Sequence, residues 1–198
     1  MPAEENLTIW LDKMSGGDDA ALDHVMRLLY DEIRFLARQR LHNERADHTL
    51  AATALVNEVY IKLASQRRIN AEDRMQFLGV AAVTMRRVLV DYARRRNRAK
   101  RGGGEKPVPL EDVVPFLSIE ESDEILALDA AIERLSGLDA RAARVVELRF
   151  YSGLSVAETA ELLEVSTKTV QREWVATRAW LRKEVAHELG TTPSLGAD

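Results

Sequence analysis

The stretch Ser155–Trp174, SVAETAELLEVSTKTVQREW, decides the fold. It reads as two short helices with a tight corner between them. Ser155 is placed to cap the first helix, and Glu158 stands three residues later to complete a capping box. Ala160 falls where the two helices cross, a position that admits close approach only to a small side chain. Leu163 and Val165 flank the corner, Ser166 is placed to cap the second helix, and Val170 and Trp174, four apart, face back onto the first. That leaves Thr167, Lys168, Gln171 and Arg172 outward on the first turns of the second helix, and Gln and Arg can bond base edges in pairs. A purely structural bundle also tolerates such a corner. Glu164 stands where helix-turn-helix corners usually carry Gly, and Glu173 adds a negative charge close to the expected phosphate face.

Outward from this pair, apolar residues recur at helical spacing, and no run alternates with period two, so the chain is expected to be all-α. Helices are expected over Leu7–Met14, from a cap at Asp18 or Asp19 continuously to about Leu41, and over Thr53–Ala64. A fourth carries Phe77, Ala81, Thr84, Val88 and Tyr92 on one face. Further helices are expected from about Asp123 through Leu135, from Leu138 to Phe150, and from the corner to Leu189. Gly102, Gly103 and Gly104, followed by Pro107, Pro109 and Pro115, mark a break that no helix crosses. The expected organisation is therefore two small helical domains, 1–101 and 123–189, a linker over 102–122 and a tail over 190–198.

Composition narrows the function. The 198 residues are 46% hydrophobic and 30% charged, with no cysteine, a globular composition without disulfides, thiolate nucleophiles or zinc ribbons. No signal peptide opens the chain and no run approaches the ~20 apolar residues of a membrane span, so a cytoplasmic location without membrane insertion is expected. The net charge of −4 conceals an asymmetry. Arg94–Arg101, RRRNRAKR, holds six cations in eight residues, whereas Glu111–Glu124 holds six carboxylates and no cation. Six clustered cations repel one another without an anionic partner, which points to nucleic acid. The linker residues Val113, Val114, Phe116, Leu117 and Ile119 are more apolar than a tether requires, so part of that segment is expected to dock on protein.

Catalysis finds no support. His24, His42, His48 and His187 lack metal-site spacing, and Gly102–Gly104 follow no strand and precede no Gly-Lys-Ser or Gly-Lys-Thr. No enzyme activity, metal or cofactor is expected.

Four segments in order, GDDAALDHVMRLLYDEIRFLARQRL from Gly17, TALVNEVYIKLA from Thr53, FLGVAAVTMRRVLVDYARRRNRAKRGG from Phe77 and LDARAARVVELRFYSGLSVAETAELLEVSTKTVQREW from Leu138, resemble the extracytoplasmic-function sigma factors of bacterial RNA polymerase. The resemblance implies a region 2 and a region 4 joined by a flexible linker, with the polymerase core (clamp coiled coil and flap) and promoter DNA as partners and an anti-sigma factor as a further candidate. It assigns Asn57, Glu58 and Lys62 to the clamp, although Ala52, Thr53 and Ala54 replace acidic residues common in the family just before them. It assigns the loop Ser65–Arg74, with Asn70, to base capture at the minus-10 element, and Arg86, Arg87, Arg94, Arg95, Arg96 and Arg98 to phosphate there. Ser166, Thr167, Lys168, Gln171, Arg172 and Arg178 become the minus-35 candidates. It also implies that the acidic linker passes through the channel later occupied by RNA and template. The competing class is a stand-alone helix-turn-helix regulator whose N-terminal domain dimerises or senses a ligand, on a two-fold operator.

Overall fold

The computed structural model describes residues 2–18, 20–41, 48–66, 68–100 and 119–191. The described residues are helical and contain no strand. Helices α1 (Pro2–Ser15), α2 (Ala21–Leu28), α3 (Tyr30–Arg40), α4 (His48–Ala64) and α5 (Arg74–Lys100) precede α6 (Ile119–Leu138), α7 (Ala140–Val146), α8 (Val156–Leu162) and α9 (Thr167–Glu188). A π-helical turn, Glu147–Tyr151, follows α7. Of the expected linker 102–122, residues 119–122 instead open α6, and residues 102–118, with Val113 to Leu117 among them, lie outside the described residues, as do tail residues 192–198, Asp19 and His42.

Two compact units divide the chain, Met1–Val88 with Phe150–Leu154, and Leu89–Arg149 with Ser155–Asp198. The division falls inside α5, between Val88 and Leu89.

In the first unit the apolar stripes read from sequence form the core. Leu22, Val25, Met26, Leu29, Ile33, Leu36 and Ala37 are buried, as are Leu55, Val56, Val59, Leu63, Phe77, Ala81, Thr84 and Val88. The expected continuous second helix is instead two, α2 and α3, broken at Leu29, whose backbone lies at φ −104°, ψ 8°. No Gly or Pro marks the break. Leu29 is itself buried, its N–H donates to Val25 O and its carbonyl accepts from Ile33 N, both at 3.0 Å, so backbone hydrogen bonding continues through the break. Nor does Asp18 cap α2. Its Oδ1 accepts from Ala20 N at 2.9 Å in a local turn one residue upstream, and Ala20 occupies the cap position.

Polar contacts tie the helices of this unit. Tyr60 on α4 donates to Asp23 Oδ1 on α2 at 2.6 Å, and that bond, together with the carboxylate's charge, pushes the phenol pKa up. Arg74, at the start of α5, pairs with Glu32 on α3, its Nε 3.2 Å from Oε1. Arg40 lies 3.9 Å from the centre of the Phe150 ring, and burial pulls its guanidinium down to about 10. Gly153 has φ +65°, a backbone conformation that favours glycine, and a Cβ there would meet Leu36 Cδ2 at 2.6 Å, so the Leu36 side chain would have to shift.

Candidate nucleic-acid interface

The second unit contains the corner. Ser155 caps α8 with a complete capping box: its Oγ accepts from Glu158 N at 3.1 Å, and its own N–H donates to Glu158 Oε2 at 2.7 Å. Ser166 caps α9 by accepting from Thr169 N at 3.1 Å. Between them, Glu164 N donates to Glu161 O at 3.1 Å and Val165 N to Ala160 O at 3.0 Å, the paired bonds of a Schellman turn. That turn needs a left-handed residue, and Glu164 supplies it at φ 54°.

Ala160 packs in a core cluster with Val145 and Val170, and Val156, Leu163, Val165 and Trp174 close around it. Burying Val170, Thr177 and Leu181 fixes the rotation of α9. Consequently Thr167, Lys168, Gln171, Arg172 and Arg178 are exposed, as is the capping Ser166. Arg178 lies 5.7 Å from the Trp174 ring centre, and Arg149 lies 5.4 Å from the same ring.

Glu173 does not add its charge to this face. It is buried, and its Oε1 accepts from Arg141 Nε at 2.9 Å and from a terminal guanidinium nitrogen at 2.5 Å. Asp139, capping α7 by accepting from Ala142 N at 3.0 Å, sets Arg141 on the first turn where it reaches α9. The hydrogen bond and charge of Glu173 raise the Arg141 pKa. The expected anionic intrusion is thus neutralised, and only the partner 32 residues away reveals it.

On α5 the candidate cations separate. Arg87, Arg94, Arg95 and Arg98 are exposed, Arg86 and Arg96 half-buried, and Asn70 exposed in the loop before the helix. Tyr92 is half-buried, whereas Phe77 is a core residue. Two residues of the basic end are engaged by α6. Arg94 comes within 3.4 Å of Asp129 Oδ2, and Asn97 Nδ2 donates to Asp123 Oδ1 at 2.8 Å.

On α4, Asn57, Glu58 and Lys62 are all exposed. Ile61 joins them at 56% exposure, an apolar residue missed by reading the stripe alone. Its place four beyond Asn57 and three beyond Glu58 was the available signal.

Among the described residues, no group of three or more His, Asp or Glu could hold a metal, and no helix is long and apolar enough to cross a membrane. A family model described as ECF sigma factor matches residues 4–187. The chain belongs to the ECF sigma factor family. Neither the curated proteins nor the solved structures yield a match. Family membership makes this a sigma factor acting in transcription initiation, with RNA polymerase and promoter DNA as its partners, and does not favour a stand-alone regulator.

Proposed function

We propose that this sigma factor brings bacterial core polymerase to its promoters through three surfaces, working in the cytoplasm. The exposed first turns of α9 read the minus-35 duplex. The loop before α5 and the basic end of α5 handle the minus-10 element and its melting. The outward face of α4 docks on the clamp, and the C-terminal helices meet the flap.

The observation that carries this reading is the division of α9 into two faces. Val170, Glu173, Thr177 and Leu181 anchor one side, which leaves Lys168, Gln171 and Arg172 together on the other. Gln and Arg have the donor geometry to bond base edges bidentately, and Lys168 supplies charge for phosphate at the positive end of the helix. Opening DNA also needs compensation for lost stacking, on the order of 1 to 3 kcal/mol per captured base, a role this reading gives to the loop before α5. The acidic segment between the two sets of helices keeps the family's implied path through the RNA channel, and an anti-sigma factor is a candidate partner.

Lys168→Ala combined with Arg172→Ala tests the reading. Promoter binding by the holoenzyme should fall while association with core polymerase is retained. Undiminished promoter binding would remove α9 from the interface.

A further inference from the structure

The loop before α5 is fastened to the end of α1. That helix closes in a Schellman turn: Asp18 N donates to Lys13 O and Gly17 N to Met14 O, both at 3.0 Å, with Gly17 at φ +94°. Leu11 and Met14 are buried, which fixes the last turn of α1 against the core. Ser15, the final residue of α1, is half-buried, and its Oγ lies 3.4 Å from Ile69 O, 3.3 Å from Ala71 O and 3.5 Å from Ala71 N. A hydroxyl carries one proton, so Ser15 donates to one carbonyl at a time and accepts from the Ala71 N–H. Each contact is long and weak, but together they grip the main chain on both sides of Asn70. The side chains of the same stretch alternate. Ile69 and Ala71 are buried, whereas Arg68, Asn70 and Glu72 are exposed, so two inward anchors turn Asn70 outward. Beyond them Asp73 caps α5, its Oδ1 accepting from Gln76 N at 2.8 Å, and Gln76 Oε1 accepts in return from Glu72 N at 3.1 Å.

We propose that Ser15 is a positioning residue for capture of the unpaired minus-10 strand: its hydroxyl holds the loop in the form that presents Asn70. This rests on the reading that the loop before α5 takes a base of that strand. The Asn70 amide offers both donors and an acceptor to the edge of an unstacked base, and Ser15 itself touches no DNA. Every backbone residue that must be ordered on binding subtracts from affinity, whereas one already ordered by the fold does not. Ser15 moves that cost from the binding step into folding.

The probes are two labelled fragments of a promoter mapped from this holoenzyme's own transcripts. One is a duplex ending upstream of the minus-10 element, and the other extends it through that element by the non-template strand alone. In holoenzyme carrying the full chain, Ser15→Ala should weaken binding of the forked fragment by about threefold to tenfold, the worth of one hydrogen bond, and leave the duplex fragment within about twofold of wild type. Ser15→Thr keeps the hydroxyl and should restore the forked fragment. No loss with alanine, an equal loss on both fragments, or no recovery with threonine overturns the proposal. Asn70→Ala shows where Ser15 acts. Combining it with Ser15→Ala should cost little more than Asn70→Ala alone, because nothing is then left to position, and additive losses overturn the proposal. A loss with Asn70→Ala and none with Ser15→Ala sinks the positioning role alone, whereas Asn70→Ala without effect removes strand capture at Asn70 and the proposal with it. Should Ser15→Ala melt early, hydrogen exchange in the wild-type free chain decides: the Ala71 amide should be protected, and exchange at the rate of an open amide overturns the tether.

Discussion

Arg141, on the first turn of α7, lies with its Nε 2.9 Å from Oε1 of Glu173, a carboxylate on α9 that is only 9% exposed. The pair joins α7 to the helix proposed to read DNA. It neutralises Glu173, a negative charge whose position in sequence lies close to the proposed phosphate face.

Arg141→Ala should lower the melting temperature by several degrees, since it leaves a buried carboxylate without a partner. Adding Glu173→Leu should recover most of the loss, because the stranded charge is then gone. Thermal unfolding of the single and double variants checks this. A single variant as stable as wild type would mean that Glu173 finds other compensation.

Glu164 sits at φ 54°, a conformation that costs an L-residue roughly 1 to 2 kcal/mol. Glu164→Gly keeps the Schellman hydrogen bonds and removes the steric cost, while the looser unfolded chain takes part of the gain back. Denaturant unfolding should show a net stabilisation of about 0.5 to 1 kcal/mol with an unchanged denaturant slope. A destabilised variant would show that the Glu164 side chain makes contacts outweighing the strain.

Replacing Arg94, Arg95 and Arg96 by alanine should slow open-complex formation. It should also reduce the dependence of log affinity on log salt by roughly 1 to 3, according to how many phosphate contacts disappear. Binding titrations of the holoenzyme across a salt series measure it. The same slope in wild type and variant would place that cluster away from phosphate.

Ile61 extends the proposed clamp surface with the apolar centre that a stable interface needs beside its polar rim. Ile61→Asp should weaken association with core polymerase by about tenfold or more without lowering stability, because the residue is already exposed. Core association as tight as wild type, with the fold intact, would move the docking face elsewhere.

Local chemistry was readable from the sequence and distant chemistry was not. The Ser155–Glu158 capping box, the Ser166 cap and the small residue at Ala160 depend on neighbours a few positions away, so spacing alone located them. The rotation of α9 followed from Val170 and Trp174 by helical period. The pairing of Glu173 is not legible in sequence because its environment is set by Arg141, and the ion pair of Arg94 is not because Asp129 lies 35 residues along the chain. The break at Leu29 carries no Gly or Pro, only a burial that exists once the core has formed. The exposed polar face of α9 and the basic end of α5 were legible from charge and period, whereas the carboxylates that pair with neighbouring cations belong to tertiary structure.

The most direct test is promoter-specific transcription by purified bacterial core polymerase supplied with this chain. Genomic fragments serve as template, and the start sites are mapped. Discrete starts that depend on the chain, share sequence elements near minus-35 and minus-10, and disappear with Lys168→Ala and Arg172→Ala are the predicted result. Starts that are absent, or present equally without the chain, would contradict the account.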